Sequence, residues 1–370
     1  MGRLMVPNHT LASRRARMGV AMRNSTRRHR YRGIVLWSLA SIAIIQLGLG
    51  ALIETRLMGV RDPEYAFREA RWRDRLADHP NQTSIVFLGS SRVACGVDAE
   101  RITHKLNGDV VAFNFGIPKA GPFSQRVYLE RLNDSGLMPD IVLIEVMIPL
   151  LCGKDAPFEE RSLDGERFAF RELADISLDK NFRGAYRKWL FHRAFPVQGH
   201  GAELRQRCGL DRITPVDSLE RENADLDRYG WRASGLPPER LAEVKALAHR
   251  QYDEGYRSFA VHPEQRRRLD GLVARCIELG TEPILILMPE GSEFRDLLSS
   301  DGESRLQELL REMHARHGVR LIDARTWMND DAFIDMHHLD GQAAMVFSER
   351  LARESLGSCK LHLATTARCR

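Results

Sequence analysis

Short, continuously apolar segments alternate with helical patterns in two parts of the chain, and this alternation most constrains the fold. Five strands are predicted, most of them largely apolar: residues 84–88, 110–115, 141–148, 283–288 and 319–322. Predicted helices lie between or after them: residues 98–106, 124–132, 265–279, 305–317 and 341–356. Strands that are apolar along their whole length are buried on both faces, as in a parallel sheet covered by helices on each side. The sequence therefore predicts an α/β domain, a three-layer sandwich around a parallel sheet, over residues 81–356.

An uncharged stretch of 21 residues, 33–53, follows a tail (residues 1–32) with nine arginines and no acidic residue. At 1.5 Å per residue the stretch spans about 30 Å, the hydrocarbon thickness of a bilayer. The positive-inside rule then predicts a transmembrane helix in the plasma or inner membrane, a cytoplasmic basic tail and an extracytoplasmic, periplasmic domain. A cleaved signal peptide is one alternative, although its apolar core normally has about 7–15 residues. A buried helix of a soluble protein is the other.

Composition indicates the character of the basic tail, of residues 54–80 and of the C-terminal residues. The net charge of +5 is concentrated in the basic tail, and the rest of the chain has 46 basic against 50 acidic groups, so no nucleic-acid partner is expected. Residues 54–80 alternate acids with arginines, which predicts an exposed linker helix. Residues 357–370 are expected to be a frayed tail.

The strand–helix alternation lapses between residues 150 and 263. A loop of that length without structure is rare in a compact domain, so we expect a mainly helical insertion over the site. Its aromatic side chains suit either the core of the insertion or stacking on sugars: Trp189, Phe191, Phe195, Tyr229, Trp231, Tyr252 and Tyr256.

The spacing of the cysteines and histidines predicts neither a metal site nor a cofactor. The six cysteines include no Cys-x-x-Cys pair, the histidines lack metal-binding spacing, and no glycine-rich phosphate loop is present. Cys276 falls on the apolar face of a predicted helix, where an inert thiol is expected. The pattern leaves any disulfide pairing open.

Two short motifs contain the candidate catalytic residues. The first strand runs into Gly89-Ser90-Ser91-Arg92, and Asp335-x-x-His338 lies in the loop before the last predicted helix. A serine hydroxyl becomes a nucleophile when a histidine takes its proton and a carboxylate orients that histidine. Both motifs should reach the carboxyl edge of the sheet, where α/β sheets place their sites. We therefore predict a triad of Ser91, His338 and Asp335, with His337 as the base if the register shifts.

Gly89-Ser90-Ser91 after an apolar strand, followed late in the chain by Asp335-x-x-His338, resembles the SGNH/GDSL hydrolase superfamily. The first block of that family is Gly-Asp-Ser and its last is Asp-x-x-His, on a flavodoxin-like sheet. The chain is most similar to the membrane-anchored branch that modifies cell-envelope polymers. That branch includes the teichoic acid D-alanyl transfer protein and the alginate O-acetylation proteins. The resemblance covers residues 84–150 and 265–356.

The resemblance implies roles for individual residues. Ser91 would be the nucleophile, His338 the general base and Asp335 its partner, while the N–H groups of Ser91 and Gly116 would form the oxyanion hole. The third donor of the family, an asparagine after the third strand, is absent here, so Asn114 or Arg92 would have to replace it. Two neighbouring residues have structural alternatives. Ser90 is expected to form the turn, and Glu145 either caps a loop or places a charge at the mouth of the site.

The resemblance also implies a function class. We expect an extracytoplasmic serine O-acyltransferase or esterase that acts on an acyl ester, with acetyl as the expected group, of a cell-envelope polysaccharide or exopolysaccharide. A multi-span O-acyltransferase is the implied membrane partner. Because the asparagine after the third strand is missing, a second interpretation stays open: a catalytically inactive scaffold that binds glycan or a membrane acyltransferase. A third is a cytoplasmic regulator that works through the arginine tail. The residues identify neither the acyl donor nor the acceptor.

Overall fold

A five-stranded parallel sheet forms the centre of the described part of the protein. The computed structural model describes residues 10–107, 109–152, 159, 163–174, 182–209, 226–235, 238–257 and 259–357. The strands are β1 (Thr83–Gly89), β2 (Val110–Gly116), β3 (Ile141–Glu145), β4 (Glu282–Leu287) and β5 (Arg320–Asp323). Their order is β2-β1-β3-β4-β5 and every pair is parallel. This is the flavodoxin-like order 2-1-3-4-5, so the predicted α/β fold is confirmed.

Helices precede, connect and follow the strands. In chain order, the described α-helices are α1 (Thr10–Thr55), α2 (Met58–Arg61), α3 (Pro63–Asp78), α4 (Ser91–Gly96), α5 (Ala99–Lys105), α6 (Pro122–Asp134), α7 (Ile148–Leu151), α8 (Phe170–Leu173), α9 (Phe182–Ala194), α10 (Pro196–Gly199), α11 (Gly201–Arg207), α12 (Pro238–Arg257), α13 (Pro263–Glu278), α14 (Ser292–Arg295), α15 (Ser300–His317) and α16 (Gly341–Leu351).

The sheet brings the ends of β1 and β2 to the same level. Gly89 pairs with Gly116, and the central strands are buried along almost their whole length, as continuous apolar strands require. The third strand is shorter than predicted, ending at Glu145 instead of residue 148. Pro149, which lacks an N–H for a sheet ladder, lies instead in the first turn of α7.

The prediction of an exposed linker over residues 54–80 is wrong. Helix α3 packs against β2, and its Tyr65 and Trp72 side chains are fully buried. The Trp72 indole also donates a 2.9 Å hydrogen bond to the Leu137 carbonyl. Buried arginines on the same helix are neutralised locally, as in the 3.3 Å pair of Arg68 with Glu64. The alternating charges therefore line a helix that covers the sheet and belongs to the α/β domain.

Helix α1 contains the predicted membrane span. Its apolar part, Tyr31–Thr55, has 25 residues and is largely exposed, and it is long and apolar enough to cross a membrane or to act as a signal sequence. The helix begins earlier than the predicted span, at Thr10. At the other end of the chain, the predicted tail lies outside the described residues except for residue 357.

The described parts of the insertion are mainly helical, with residues 226–235 as a non-helical segment. A small apolar cluster joins it to α6: Phe123, Val127, Leu163, Phe168, Leu173 and Ala185, with Trp189 packed against them. Among the cysteines of the described residues, four are free thiols. Cys276 is fully buried, and burial raises the pKa of its thiol to about 12, as expected of an inert thiol. Cys359 and Cys369 lie outside the described residues.

Candidate active site

The turn after β1 places Ser91 at the carboxyl edge of the sheet. Ser90 caps α4 by accepting a 3.2 Å hydrogen bond from the Arg92 N–H, and Ser91 is the first residue of that helix. Gly89 leaves no room for a side chain, since a Cβ would lie 2.6 Å from Glu145 Oε2. The Ser90 side chain thus has the turn-forming role that was expected, and Ser91 is left half-buried at the rim.

A second turn is organised by the Asp335 carboxylate. One oxygen, Oδ1, accepts the backbone N–H groups of Met336, His337 and His338 at 2.7, 2.8 and 2.8 Å. The other, Oδ2, lies 2.7 Å from His338 Nδ1. Burial alone would raise the pKa of Asp335, but the hydrogen bond from His338, the neighbouring imidazoles and the backbone N–H groups hold that pKa far below its usual range. The residue is therefore a carboxylate at neutral pH.

The two turns meet through a continuous hydrogen-bonded chain. Ser91 Oγ lies 2.7 Å from His338 Nε2, across 247 positions of sequence. Because an ionised carboxylate can only accept, Nδ1 of a neutral His338 carries the ring proton and Nε2 presents its lone pair to the Ser91 hydroxyl. This is the arrangement in which an imidazole can remove the proton of a serine.

His337 does not occupy the position next to the serine. Its ring is buried, stacked on Phe294 with centroids 4.7 Å apart and met edge-on by Tyr252 of α12 at 5.0 Å. Neither ring nitrogen has a hydrogen-bond partner within the described residues. Burial holds the pKa of His337 well below its usual value, so the ring is neutral. The hydrogen bond to Ser91 comes from His338, so the shifted register is not the one observed.

Beneath the serine turn lies a buried cluster of charges that includes Arg92. Its guanidinium donates to Glu290 Oε1 at 3.1 Å and to the Met288 and Pro289 carbonyls at 2.8 and 2.9 Å. Glu145 Oε1 lies 3.7 Å away, and its Oε2 accepts the Ser90 N–H at 2.6 Å. Burial alone would lower the pKa of Arg92, but Glu290 and Glu145 reverse this and raise it. Glu145 thus anchors the serine turn from below and puts no charge at the mouth of the site.

Three of the expected oxyanion donors are already engaged. The Gly116 N–H donates to Asn114 Oδ1 at 2.8 Å. The Asn114 amide donates in turn to the Val93 and Val97 carbonyls, both at 2.7 Å. Together with the buried ion pairs of Arg92, these bonds contradict the expectation that Gly116, Asn114 or Arg92 offers a free donor. The Ser91 N–H, at the first turn of α4, has no acceptor among the described residues and remains available.

A segment of the insertion that the sequence did not single out runs beside the serine helix. We call residues 226–235 the strap. Its Arg232 N–H donates to the Ala94 carbonyl at 3.2 Å, and the Trp231 indole donates to the Cys95 carbonyl at 2.7 Å. Further along, the Ser234 carbonyl accepts the N–H of Gly341 at the start of α16. The strap therefore ties the helix that begins with Ser91 to the helix that follows the Asp335 turn. Trp231 was noted only as an aromatic residue of the insertion.

The Asp335 turn contains the one cluster of potential metal-ligand atoms found in the described part of the chain. Atoms of Asp335, His337 and His338 lie within 4.8 Å of one another. Two of these residues already satisfy each other and Ser91, and Asp335 also accepts three backbone N–H groups. The hydrogen bonds of the turn therefore account for the cluster.

Comparisons with known proteins give weak structural likenesses and one family match. A lipase/acylhydrolase from Enterococcus faecalis is 15% identical, with 74% of this chain and 95% of that chain covered and a TM-score of 0.34. A catalytic mutant of an acetylxylan esterase from Geobacillus stearothermophilus is 12% identical, with 74% and 93% covered and a TM-score of 0.36. No curated protein matches the sequence. The profile of DUF1574, described as a protein of unknown function, matches residues 64–345, from the first turn of α3 into α16. The chain therefore belongs to the DUF1574 family.

Proposed function

We propose that this protein is a serine-dependent esterase or O-acyltransferase, with Ser91 as nucleophile, His338 as general base and Asp335 as the group that orients it. The observation that carries the proposal is the hydrogen-bonded chain from Ser91 Oγ through His338 to Asp335, with 2.7 Å at each step. A surface histidine with a structural role would need neither the serine contact nor an ionised, largely buried carboxylate behind it.

The first half-reaction forms an acyl-enzyme. Ser91 Oγ attacks the carbonyl carbon of an ester while its proton passes to His338 Nε2, and the imidazolium is held by the charge of Asp335. The carbonyl oxygen becomes negative and accepts the Ser91 N–H. When the carbon–oxygen bond of the ester breaks, His338 returns the proton to the departing alcohol, and the acyl group remains as an ester on Ser91.

The second half-reaction transfers the acyl group. A hydroxyl gives its proton to His338 and attacks the acyl carbon, and Ser91 leaves and recovers the proton. Water as acceptor makes the protein an esterase, and a polysaccharide hydroxyl makes it a transferase. The acetyl group and the cell-envelope or exopolysaccharide substrate follow from the resemblance to the envelope branch of the SGNH superfamily, as does a multi-span O-acyltransferase that supplies the acyl group.

The proposed location follows from the chain's polarity. Residues 33–53 would span the plasma or inner membrane, with the basic tail of residues 1–32 in the cytoplasm and the α/β domain outside. The apolar, exposed part of α1 supports this arrangement. Because α3 is part of the domain, the domain begins almost directly after the span.

A catalytically inactive scaffold is the second candidate, and one observation favours it. Of the four donors considered for the oxyanion, only the Ser91 N–H belongs to neither a hydrogen bond nor a buried ion pair within the described residues. Loss of one oxyanion donor costs about 10²–10³ in turnover in other serine hydrolases. A site with few donors would be a slow enzyme or would only bind its ligand.

Covalent labelling and turnover of the purified full chain distinguish the two candidates. We expect a fluorophosphonate probe to label the wild-type protein at Ser91 and Ser91→Ala to lose the label. Hydrolysis of p-nitrophenyl acetate should fall by about 10³-fold or more in Ser91→Ala and in His338→Ala, since each removes a member of the proton-transfer chain.

Ser304→Ala is the matched control, because Ser304 is an exposed serine on α15 that bonds only within its own helix. It should retain both labelling and turnover. Turnover that is unchanged in Ser91→Ala would refute the enzyme. A folded wild-type protein that shows neither labelling nor turnover would favour the scaffold.

A further inference from the structure

The end of the apolar span is clamped to the insertion. Glu54, in the last turn of α1, accepts the Arg193 Nε–H at 2.7 Å, the Trp189 indole N–H at 3.2 Å and the Phe170 N–H at 2.6 Å. One turn earlier, Gly50 is buried directly against the Arg193 backbone, which leaves no space for a Cβ. Helices α9 and α10 both contact α1. The level at which the span leaves the bilayer is thereby fixed relative to these helices.

Beside this junction the insertion exposes large apolar side chains. Those that lie close in sequence to the clamp are about half exposed: Phe170, Leu190, Phe191, Phe195 and Val197. We call them the aromatic face. The rings of Phe191 and Phe195, one helical turn apart, lie 5.5 Å from each other. Exposed apolar side chains on soluble proteins are normally scattered singly. A concentration of them therefore indicates a surface that is covered by a membrane or by another molecule.

Basic side chains lie among the apolar ones. Arg183, Arg187 and Lys188 are exposed on α9, the helix that carries Phe191. A helix with large apolar residues next to Arg and Lys is typical of the membrane–water boundary, where the apolar groups enter the acyl region and the cations meet phosphate oxygens. Near-equal mixing of these two residue types would be less suited to a dry protein interface, whose core is depleted of lysine.

We infer that the aromatic face lies in the headgroup–acyl boundary of the same bilayer that α1 spans. The occupant is the lipid surface because the face lies on helices that contact α1, whose own apolar side chains are exposed, and is fixed to the last two turns of that helix. The inference rests on the proposed membrane span but is independent of the proposed chemistry. Its consequence is that the α/β domain is held in one orientation against the membrane, with the anchor and the insertion as a single support.

Site-specific quenching tests this inference in the full chain. Cys208, Cys359 and Cys369 are replaced by serine, which leaves the three buried cysteines Cys95, Cys152 and Cys276 in place. Phe191→Cys or Phe195→Cys then supplies a single accessible thiol, which is labelled with an environment-sensitive fluorophore. The protein is reconstituted in vesicles of phosphatidylethanolamine and phosphatidylglycerol that carry a shallow spin-labelled lipid or, for the control position at the middle of the span, a deep one.

Two control positions calibrate the readout. Ile44, exposed in the apolar part of α1, serves as the membrane-embedded control, and Val346, an apolar residue on α16 that is about half exposed, as the aqueous control. Positions 191 and 195 should lose about half of their fluorescence, as expected of side chains at headgroup depth. Position 346 should lose almost none.

Each alternative outcome overturns the inference in a recognisable way. Quenching at position 44 with none at 191 and 195 would mean that the anchor is embedded and the aromatic face faces water, as it would if a protein partner normally covered it. Absence of quenching at position 44 by the deep label would mean that α1 does not span the bilayer, and the proposed anchor would fail as well. The ester turnover of the wild-type protein is measured separately and bears on neither result.

Discussion

Replacement of Arg92 by leucine should be among the most destabilising single changes in the protein. The side chains of Arg92, Glu145 and Glu290 are 1, 0 and 2% exposed, so the two carboxylates share one guanidinium away from water. Removing one partner of a buried ion pair costs about 3–5 kcal/mol, because the other charge stays buried and unpaired. Here two carboxylates lose their partner and two carbonyls lose a donor, which favours the upper part of that range.

The pH dependence of the stability of Arg92→Leu provides a second, independent test of the prediction. Burial already raises the pKa of Glu290 above its usual 4.5 in the presence of Arg92, and loss of the guanidinium should raise it further. A carboxyl whose folded pKa is raised binds more protons in the folded state, so stability is retained below pH 4.5 and is lost as the pH rises. The deficit of Arg92→Leu should therefore be smallest in acid and should grow towards neutral pH.

Urea unfolding of the full chain in detergent micelles, followed by tryptophan fluorescence, measures this deficit. Arg305→Leu is the matched control, because Arg305 forms an exposed ion pair with Asp301 one helical turn away. That variant should unfold at nearly the wild-type urea concentration, as exposed pairs contribute little. The account of the buried cluster would be wrong if Arg92→Leu unfolded at the same urea concentration as Arg305→Leu. It would also be wrong if the stability deficit of Arg92→Leu did not change between acid and neutral pH.

Two further predictions concern the second turn and the helix that covers the sheet. Asp335→Asn should lower the turnover of a p-nitrophenyl ester by about 10³–10⁴, because an amide can donate to His338 Nδ1 and favour the wrong tautomer. Since the pKa of Asp335 is held below its usual 3.8, the stability deficit of this variant should be full above that pH and shrink below it in urea titrations. Trp72→Phe should cost about 1–3 kcal/mol in the same assay, because it leaves the buried Leu137 carbonyl without its donor and removes core volume. An exposed linker would show no change.

The sheet and the meeting of the two motifs could be predicted because both follow from local patterns. Largely apolar runs marked the first four strands to within a few residues, and parallel strands bring their carboxyl ends to one edge. The boundary of β3 was missed because residues 146–151 are all apolar, a pattern that fits the end of a buried strand and a buried helix equally well. The sequence also contains a pattern that predicts the burial of α3, but the alternation of charged residues obscured it. Tyr65, Arg68, Trp72 and Arg75 recur at helical spacing, and all are buried.

The partners of the site residues could not be predicted, because they depend on contacts between distant segments. Arg92 meets Glu290 from 198 positions away, and Trp231 meets Cys95 from 136. The aromatic residues of the insertion divide in the same way. Tyr252 and Tyr256 are buried beside the Asp335 turn and the charge cluster, whereas Phe191 and Phe195 are exposed. Composition gives the same expectation for all four, and only packing separates them.

The resemblance to the SGNH superfamily implies an asparagine after the third strand as an oxyanion donor, and this chain has none there. The third strand ends instead in Glu145, whose carboxylate accepts the Ser90 N–H and lies next to Arg92. That exchange strengthens the support of the serine turn and removes a donor from the rim. Under the proposed function, Ser91 would be held firmly as the nucleophile, and the oxyanion would be stabilised mainly through the Ser91 N–H. Complete covalent labelling of Ser91 together with slow ester turnover is the combination that this arrangement favours.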